Sequence, residues 1–427
     1  MPDNTSQSFK GPIAYLTGEY PRATDTFIQR EVMALRERGI TVFTNSIRKT
    51  DALHLVGEEQ KAEAKNTFYV LKAARSPFRL VYGHFNALIQ SPGRYFRGLR
   101  LALATGSPGW KSTLYQVFYF AEAVILANHL NKLGVRHLHN HIATASCSVA
   151  MLASEISGIP YSFTLHGPDI FFEPIRWRLD AKIARASFVA CISNYCRSQA
   201  MIHSKRSDWS KLHIVHCGVD PARYSKIGER TGKRVLFVGR LAAVKGLPVL
   251  FEALTKVLPH IPDLKVTLIG DGPERLGLER EARNMGVADS IEFAGYCSQS
   301  EVAEMLRHTD LLVLPSFAEG LPVVLMEALA ARVPVVATQI AGVSELVEDG
   351  INGAMVPPGD AERLAEKILE LLNDDPLRAK MGDLGCEKVA LDFDITIEAG
   401  RLAALFEAYG SGEGQLPIRP DAQKVAR

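Results

Sequence analysis

RVLFVG (Arg234–Gly239), KVTLIG (Lys265–Gly270), SIEFAG (Ser290–Gly295), LLVLPS (Leu311–Ser316) and VPVVAT (Val333–Thr338) are short, almost wholly apolar runs, and helical patterns over 248–258, 274–285, 300–308 and 322–330 separate them. Strands alternating with helices predict parallel βαβ units, and strands apolar on both faces predict a sheet covered on both sides. The same rhythm precedes this stretch: IAYLT (13–17), a helix TFIQREVMALRERG (26–39) closed by Gly39, ITVFTN (40–45), RHLHNH (136–141), ATASCSVAMLASEISG (143–158) and YSFTLHG (161–167). Pro221 and the polar segment 222–233 carry no apolar period and read as a linker. The chain therefore reads as two doubly wound α/β (Rossmann-like) domains, residues 1–222 and 233–395, with polar, mobile ends at 1–10 and 411–427. Ligands of such sheets bind beyond the carboxyl ends of the strands, so the site belongs in the cleft between the domains.

Length and composition agree. A chain of 427 residues with 47% apolar and 22% charged residues is globular and too long for one ordinary core, which excludes stapled mini-domains, collagen and coiled coils. The six cysteines (Cys147, Cys191, Cys196, Cys217, Cys297, Cys386) form no C-x-x-C pair and no secretory signal opens the chain, so reduced thiols in a cytoplasmic protein are expected. The longest apolar stretch, 114–130, is broken by Gln116, Glu122, Asn128 and His129, and no transmembrane helix is predicted. The net charge of +2 conceals a division: residues 1–225 hold 27 Lys+Arg against 16 Asp+Glu, a net +11, and the remainder 22 against 31, a net −9. Two domains with different partners fit that division.

The segment PSFAEGLPVVLMEALA (315–330) places Glu319 in a strand-to-helix loop and Glu327 inside the helix. A loop entering a helix offers free N–H groups and a positive dipole end to a diphosphate, here along the backbone segment Gly320, Leu321, Pro322 and Val323, in which Pro322 has no N–H of its own. Arg240 and Lys245, in GRLAAVKG after a strand, add a planar fork and a point charge for two phosphates, and Gly239 and Gly246 let the backbone approach. Neither G-x-G-x-x-G nor G-x-x-x-x-G-K-[ST] occurs, which argues against hydride carriers and ATPases.

With IGDGP and AGVSELVEDGINGAMVPPGD in the same order, these motifs resemble the nucleotide-sugar half of retaining glycosyltransferase family 4, over nearly all of residues 234–395. The resemblance implies the two-domain GT-B fold, and a last helix, 396–410, that returns to the first domain. It implies that Glu327 holds the nucleotide ribose and Glu319 the donor sugar. Arg240 and Lys245 would bind the diphosphate, and Gly270, Gly272 and Tyr296 would line the nucleotide side. His166, after strand YSFTL, resembles the family histidine facing the donor sugar. GEYPRATDTFIQREV (18–32) is similar to the opening segment of bacterial exopolysaccharide and colanic-acid-type transferases. That likeness puts Gly18, Thr24, Asp25 and Thr26 on the acceptor side, while Thr24 or Asp25 reads locally as a helix N-cap.

The implied reaction moves a hexosyl unit from a nucleotide diphosphate sugar to a saccharide acceptor, lipid-linked, with retention, in exopolysaccharide or cell-surface polysaccharide synthesis. Glu319, His166, Arg240 and Lys245 would carry it. An isomerase or phosphorylase of the same fold, or a non-catalytic membrane-associated assembly subunit, are the alternatives.

No metal and no cofactor is expected beyond that substrate. His137, His139 and His141 share one strand face, but no acidic or cysteine partner stands at suitable spacing for zinc. The D-x-D of Asp392 and Asp394 falls outside the clefts. Between Glu63 and Glu122 there is no acid, while Lys65, Lys72, Arg75, Arg79, Arg94, Arg97, Arg100 and Lys111 interleave with Phe78, Tyr82, Phe85, Tyr95, Phe96 and Trp110. Basic amphipathic helices with aromatic anchors predict peripheral binding of residues 65–111 to an anionic membrane surface. Nucleic acid is not an expected partner, since no such module is visible and the second half is acidic.

Overall fold

The computed structural model describes residues 11–411. The ends expected to be mobile lie outside the described residues, apart from Ser411, which ends the last helix.

The first sheet contains β1 (Ile13–Glu19), β2 (Val42–Arg48), β3 (Phe68–Tyr69), β4 (His137–His141), β5 (Tyr161–Leu165), β6 (Val189–Cys191) and β7 (Leu212–Ile214), in the spatial order β3-β2-β1-β4-β5-β6-β7. The second contains β8 (Arg234–Val238), β9 (Lys265–Ile269), β10 (Ile291–Gly295), β11 (Leu311–Leu314), β12 (Val335–Thr338) and β13 (Gly353–Val356), in the order β10-β9-β8-β11-β12-β13. Both sheets are parallel throughout, with Ile13 opposite Val42 and His137, and Leu311 opposite Val235. The apolar runs of β11 and β12 are buried at every residue, as strands covered on both faces require.

Each sheet reverses its winding once, between β1 and β4 and between β8 and β11. The crevice at such a reversal is where open α/β sheets bind ligands. Here the two reversals face each other, so the loops after β1, β4, β8 and β11 meet in one cleft.

The helix Ile395–Ser411 packs on the helix Thr26–Glu37, and Ala399, Leu402, Leu405 and Phe406 join Ile13, Tyr15, Ile28, Val32 and Leu35 in one apolar cluster. The chain crosses between the halves twice, side by side, since Val219 bridges Asp394. Asp394 accepts from the N–H groups of Thr396 and Ile397, and Asp392 pairs with Lys388. The D-x-D pair thus caps one helix and closes another, away from the cleft.

Between β3 and β4 lie the helices Val70–Ala74, Pro77–Gln90, Pro92–Ala104 and Trp110–Lys132. Proline opens two of them, where its missing N–H costs nothing. The Pro77–Gln90 helix packs inward through Gly83 and Ala87 and leaves Phe78, Val81, Tyr82, Phe85 and Ile89 exposed at helical spacing. Phe96, Trp110, Tyr115 and Phe118 are exposed on the next two helices. Two of the expected surface groups behave otherwise. Tyr95 is half-buried and bonds His84, and Arg97 pairs with Glu155, a carboxylate beyond the acid-free stretch.

Among the described residues no helix is long and apolar enough to cross a membrane. All six cysteines are free thiols, four of them buried.

Candidate active site

The cleft has a volume of about 410 Å³ and takes its walls from both domains. From the second come Gly239, Arg240, Lys245, Gly270, Tyr296, Glu319, Gly320, Leu321, Pro322, Val323 and Glu327; from the first come Thr24, Asp25, Thr26 and His166. Two expected residues do not line it. Gly18 lies within β1, and Gly272 is packed behind the wall, where an added Cβ would stand 2.3 Å from the Leu241 carbonyl oxygen.

The second-domain wall is cationic and helix-ended. Val323 and Val324 form the first turn of the helix Val323–Ala330, whose unbonded N–H groups concentrate positive potential at the cleft. Arg240 is exposed at the mouth. Lys245 donates to Glu319 at 2.6 Å, and Ser316 donates to the same carboxylate oxygen at 2.7 Å, which fixes Glu319 in the cleft. An ammonium has three donors, so Lys245 can hold Glu319 and still reach an anion.

Gly320 permits the domains to meet: a Cβ there would lie 2.0 Å from the carbonyl oxygen of His166 in the other domain. Gly270, at φ +127, likewise lets the loop after β9 press on Gly239, whose oxygen would stand 2.0 Å from a Cβ. Tyr296 sits at the domain boundary, its ring 5.0 Å from that of His54.

The profile of "Glycosyltransferase Family 4" matches residues 79–223 and that of "Glycosyl transferases group 1" matches residues 224–387. An uncharacterised glycosyltransferase of Methanocaldococcus jannaschii is 32% identical over 268 residues, 61% of this chain and 72% of that one. The chain belongs to the group 1, family 4 glycosyltransferases. A putative colanic acid biosynthesis glycosyltransferase of Salmonella typhimurium is 26% identical over 424 residues, 92% of this chain and 99% of that one. The fold of the Anabaena protein HepE, solved with UDP and glucose, superposes with a TM-score of 0.70 at 18% identity, covering 93% of this chain and all of the other. The architecture is GT-B.

In and behind the first-domain wall of this glycosyltransferase stand residues the sequence reading missed. Along the helix Thr26–Glu37, Phe27, Arg30 and Glu31 stand at i, i+3 and i+4 and so share its inner face. The ring of Phe27 lies 4.7 Å from that of His166. Arg30 is buried, forms an ion pair with Glu327, and donates to Gln299 at 2.9 Å and to Tyr224 at 3.1 Å. Glu31 accepts from Tyr15 at 2.5 Å and bonds His141 Nε2 at 3.0 Å; His141 Nδ1 meets His166 Nε2 at 2.9 Å. Asp25 occupies the N-cap position without capping; its side chain accepts from Thr24 at 3.0 Å. Burial raises its carboxyl above the usual range, with Arg22 pulling the other way.

The expectation that the histidine row lacks an acidic partner is corrected. Glu31, from a distant helix, brings a ligand atom within 4.8 Å of ligand atoms of His139 and His141. Yet the three groups are already engaged: His139 bonds Ser162 at 2.7 Å and Thr164 at 2.9 Å, and His141 spans Glu31 and His166. Burial keeps His139 and His166 well below the ordinary histidine pKa and pushes His137 down to about 3. The row is a buried, hydrogen-bonded part of the core that touches the cleft through His166.

Proposed function

We propose that this glycosyltransferase moves a hexosyl unit from a nucleoside diphosphate sugar to a saccharide acceptor carried on a lipid, retaining the anomeric configuration, in the synthesis of cell-surface or extracellular polysaccharide. One observation carries the reading: Arg240, Lys245 and the start of the helix Val323–Ala330 converge on a single wall of the cleft. That wall suits a diphosphate, and it supplies positive potential where charge grows as the diphosphate departs. Glu319 and His166 position the sugar, Glu327 reads the ribose, and Thr24, Asp25 and Thr26 face the acceptor. Retention follows from front-face attack, the leaving phosphate taking the acceptor proton.

The colanic acid assignment of the Salmonella relative supports the pathway, and the UDP and glucose of the Anabaena structure support a uridine donor. In this reading the chain's own cations do the work of a metal, so turnover survives EDTA; loss that Mg²⁺ restores contradicts it. The protein acts on the cytoplasmic face of a membrane. The aromatic residues Phe78, Phe85, Phe96 and Trp110, with Arg75, Arg79 and Arg100 on the same helical region, provide an apolar and basic contact for anionic lipid.

The test is a thermal-shift screen with UDP, GDP, ADP and their sugars, since a ligand that binds only the folded state raises its stability. One nucleotide family raises the transition temperature, and its sugar donor yields a product whose anomeric proton shows the donor's configuration. No shift with any nucleotide contradicts the reading.

A further inference from the structure

Behind His166 runs a chain of side chains in contact: Tyr15 to Glu31 at 2.5 Å, Glu31 to His141 Nε2 at 3.0 Å, and His141 Nδ1 to His166 Nε2 at 2.9 Å. It crosses three elements, β1, the Thr26–Glu37 helix and β4, before it reaches the cleft. Its direction is fixed at one end, because an ionised carboxylate only accepts hydrogen bonds. Glu31 also accepts from Tyr15, so a His141 with a single ring proton carries it on Nε2, toward Glu31, and presents Nδ1 to His166 as an acceptor. His166 must in turn place its proton on Nε2 to fill that acceptor. What remains is His166 Nδ1, a lone pair whose protein neighbour is the Cys217 thiol at 3.7 Å, a long and weak contact in the lining of the cleft. Phe27, its ring 4.7 Å away, holds the plane of the imidazole.

We propose that Glu31 and His141 are positioning residues that lock His166 as the Nε2–H tautomer, so that it meets a hydroxyl of the donor sugar as a hydrogen-bond acceptor. The role of His166 toward the sugar rests on the function proposed above; the tautomer does not. A donor hydroxyl gives its proton to Nδ1, and sugars that replace this hydroxyl by hydrogen lose the contact. The chain gives a role to Tyr15, Glu31 and His141, which are buried behind a site that only His166 touches.

The experiment uses the full chain with ¹⁵N-labelled histidine, long-range ¹H–¹⁵N correlation spectra without ligand, and a His166→Gln spectrum for assignment. Wild type shows His166 protonated on Nε2 alone. His141→Phe, which removes the acceptor, gives a mixture of tautomers and lowers kcat roughly tenfold, the worth of one hydrogen bond, with donor KM little changed. His141→Asn, which keeps an acceptor near the Nδ1 position, restores both the tautomer and most of kcat.

A wild-type signal from Nδ1–H overturns the proposal even if no variant folds. So does a His141→Phe protein whose His166 tautomer and kcat match wild type. A chain that shows the Nε2–H tautomer but turns over no nucleotide sugar leaves this inference standing and removes the proposed function instead.

Discussion

The cations of the cleft are separable from the core that supports them. Arg240 is exposed and Lys245 is bound through one carboxylate, so replacing either by alanine leaves folding intact. If each stabilises charge on the departing diphosphate, each alanine variant lowers kcat by roughly 10²- to 10³-fold, with a melting temperature near that of wild type. Normal turnover in both contradicts their role. Arg30 behaves in the opposite way. It is buried against Glu327, and Arg30→Met leaves that carboxylate without its partner, which costs about 3 kcal/mol of stability by denaturant unfolding and weakens nucleotide binding as well.

The contrast also shows what can be read from a sequence at this scale. Glu319 and Glu327 stand eight positions apart on one loop and helix, so local spacing exposes them. Arg30 meets Glu327 across 297 positions and Glu31 meets His141 across 110, and no local pattern reports a pairing at that range. The one available signal was the register of the first helix, where Phe27, Arg30 and Glu31 fall on one face. A charged pair at such positions is usually a solvated surface.

At the level of elements, closure of the cleft rests on two close contacts. Gly320 touches the His166 carbonyl, so Gly320→Ala forces the loop after β11 away from the loop after β5. It should lower kcat/KM by more than about tenfold while circular dichroism and melting remain near wild type, because the clash lies between domains rather than in either core. Glu345 spans the same gap: it accepts from the backbone N–H groups of Asn194 and Tyr195 at 2.8 and 2.9 Å and so caps a helix of the opposite domain. Glu345→Ala frees that helix end, and small-angle scattering of the variant should show a larger radius of gyration than wild type.

Strands carried by long apolar runs, such as β8, β11 and β12, were legible because both faces are buried. The short β6 and β7, three residues each, give too little sequence for a period and owe their existence to pairing with β5 and with each other. The helices of 77–132 showed their charge and aromatic content in sequence. Which side faced the core was set by Gly83 and Ala87 packing inward, and that is a tertiary fact.

For the whole molecule, the buried histidines set the response to acid. His137 titrates near 6.5 when unfolded and only at about 3 when folded, so between those values the unfolded chain binds the extra proton. Stability therefore falls as pH drops below about 6.5, and each such histidine withdraws up to about 1.4 kcal/mol per pH unit. His139 and His166, also held neutral by burial, add in the same direction. Melting temperature should decline steeply from pH 6.5 to 5, and His137→Gln should flatten that decline; a flat profile in wild type contradicts neutral burial.

The opposed charges of the halves, net +11 and −9, describe the whole molecule too. The acidic half carries the cationic wall of the cleft, so its site charge is a local construction rather than a product of overall composition.

The central claim is that a nucleoside diphosphate sugar lies in the cleft with its diphosphate against the second domain. A crystal structure of the protein soaked with the nucleotide sugar that stabilises it tests this directly. The account predicts phosphate oxygens within hydrogen-bond distance of Arg240, Lys245 and the N–H groups of Gly320, Leu321, Val323 and Val324, with the ribose at Glu327 and the sugar between Glu319 and His166. Density for the ligand elsewhere, or phosphates that touch neither cation, contradicts it.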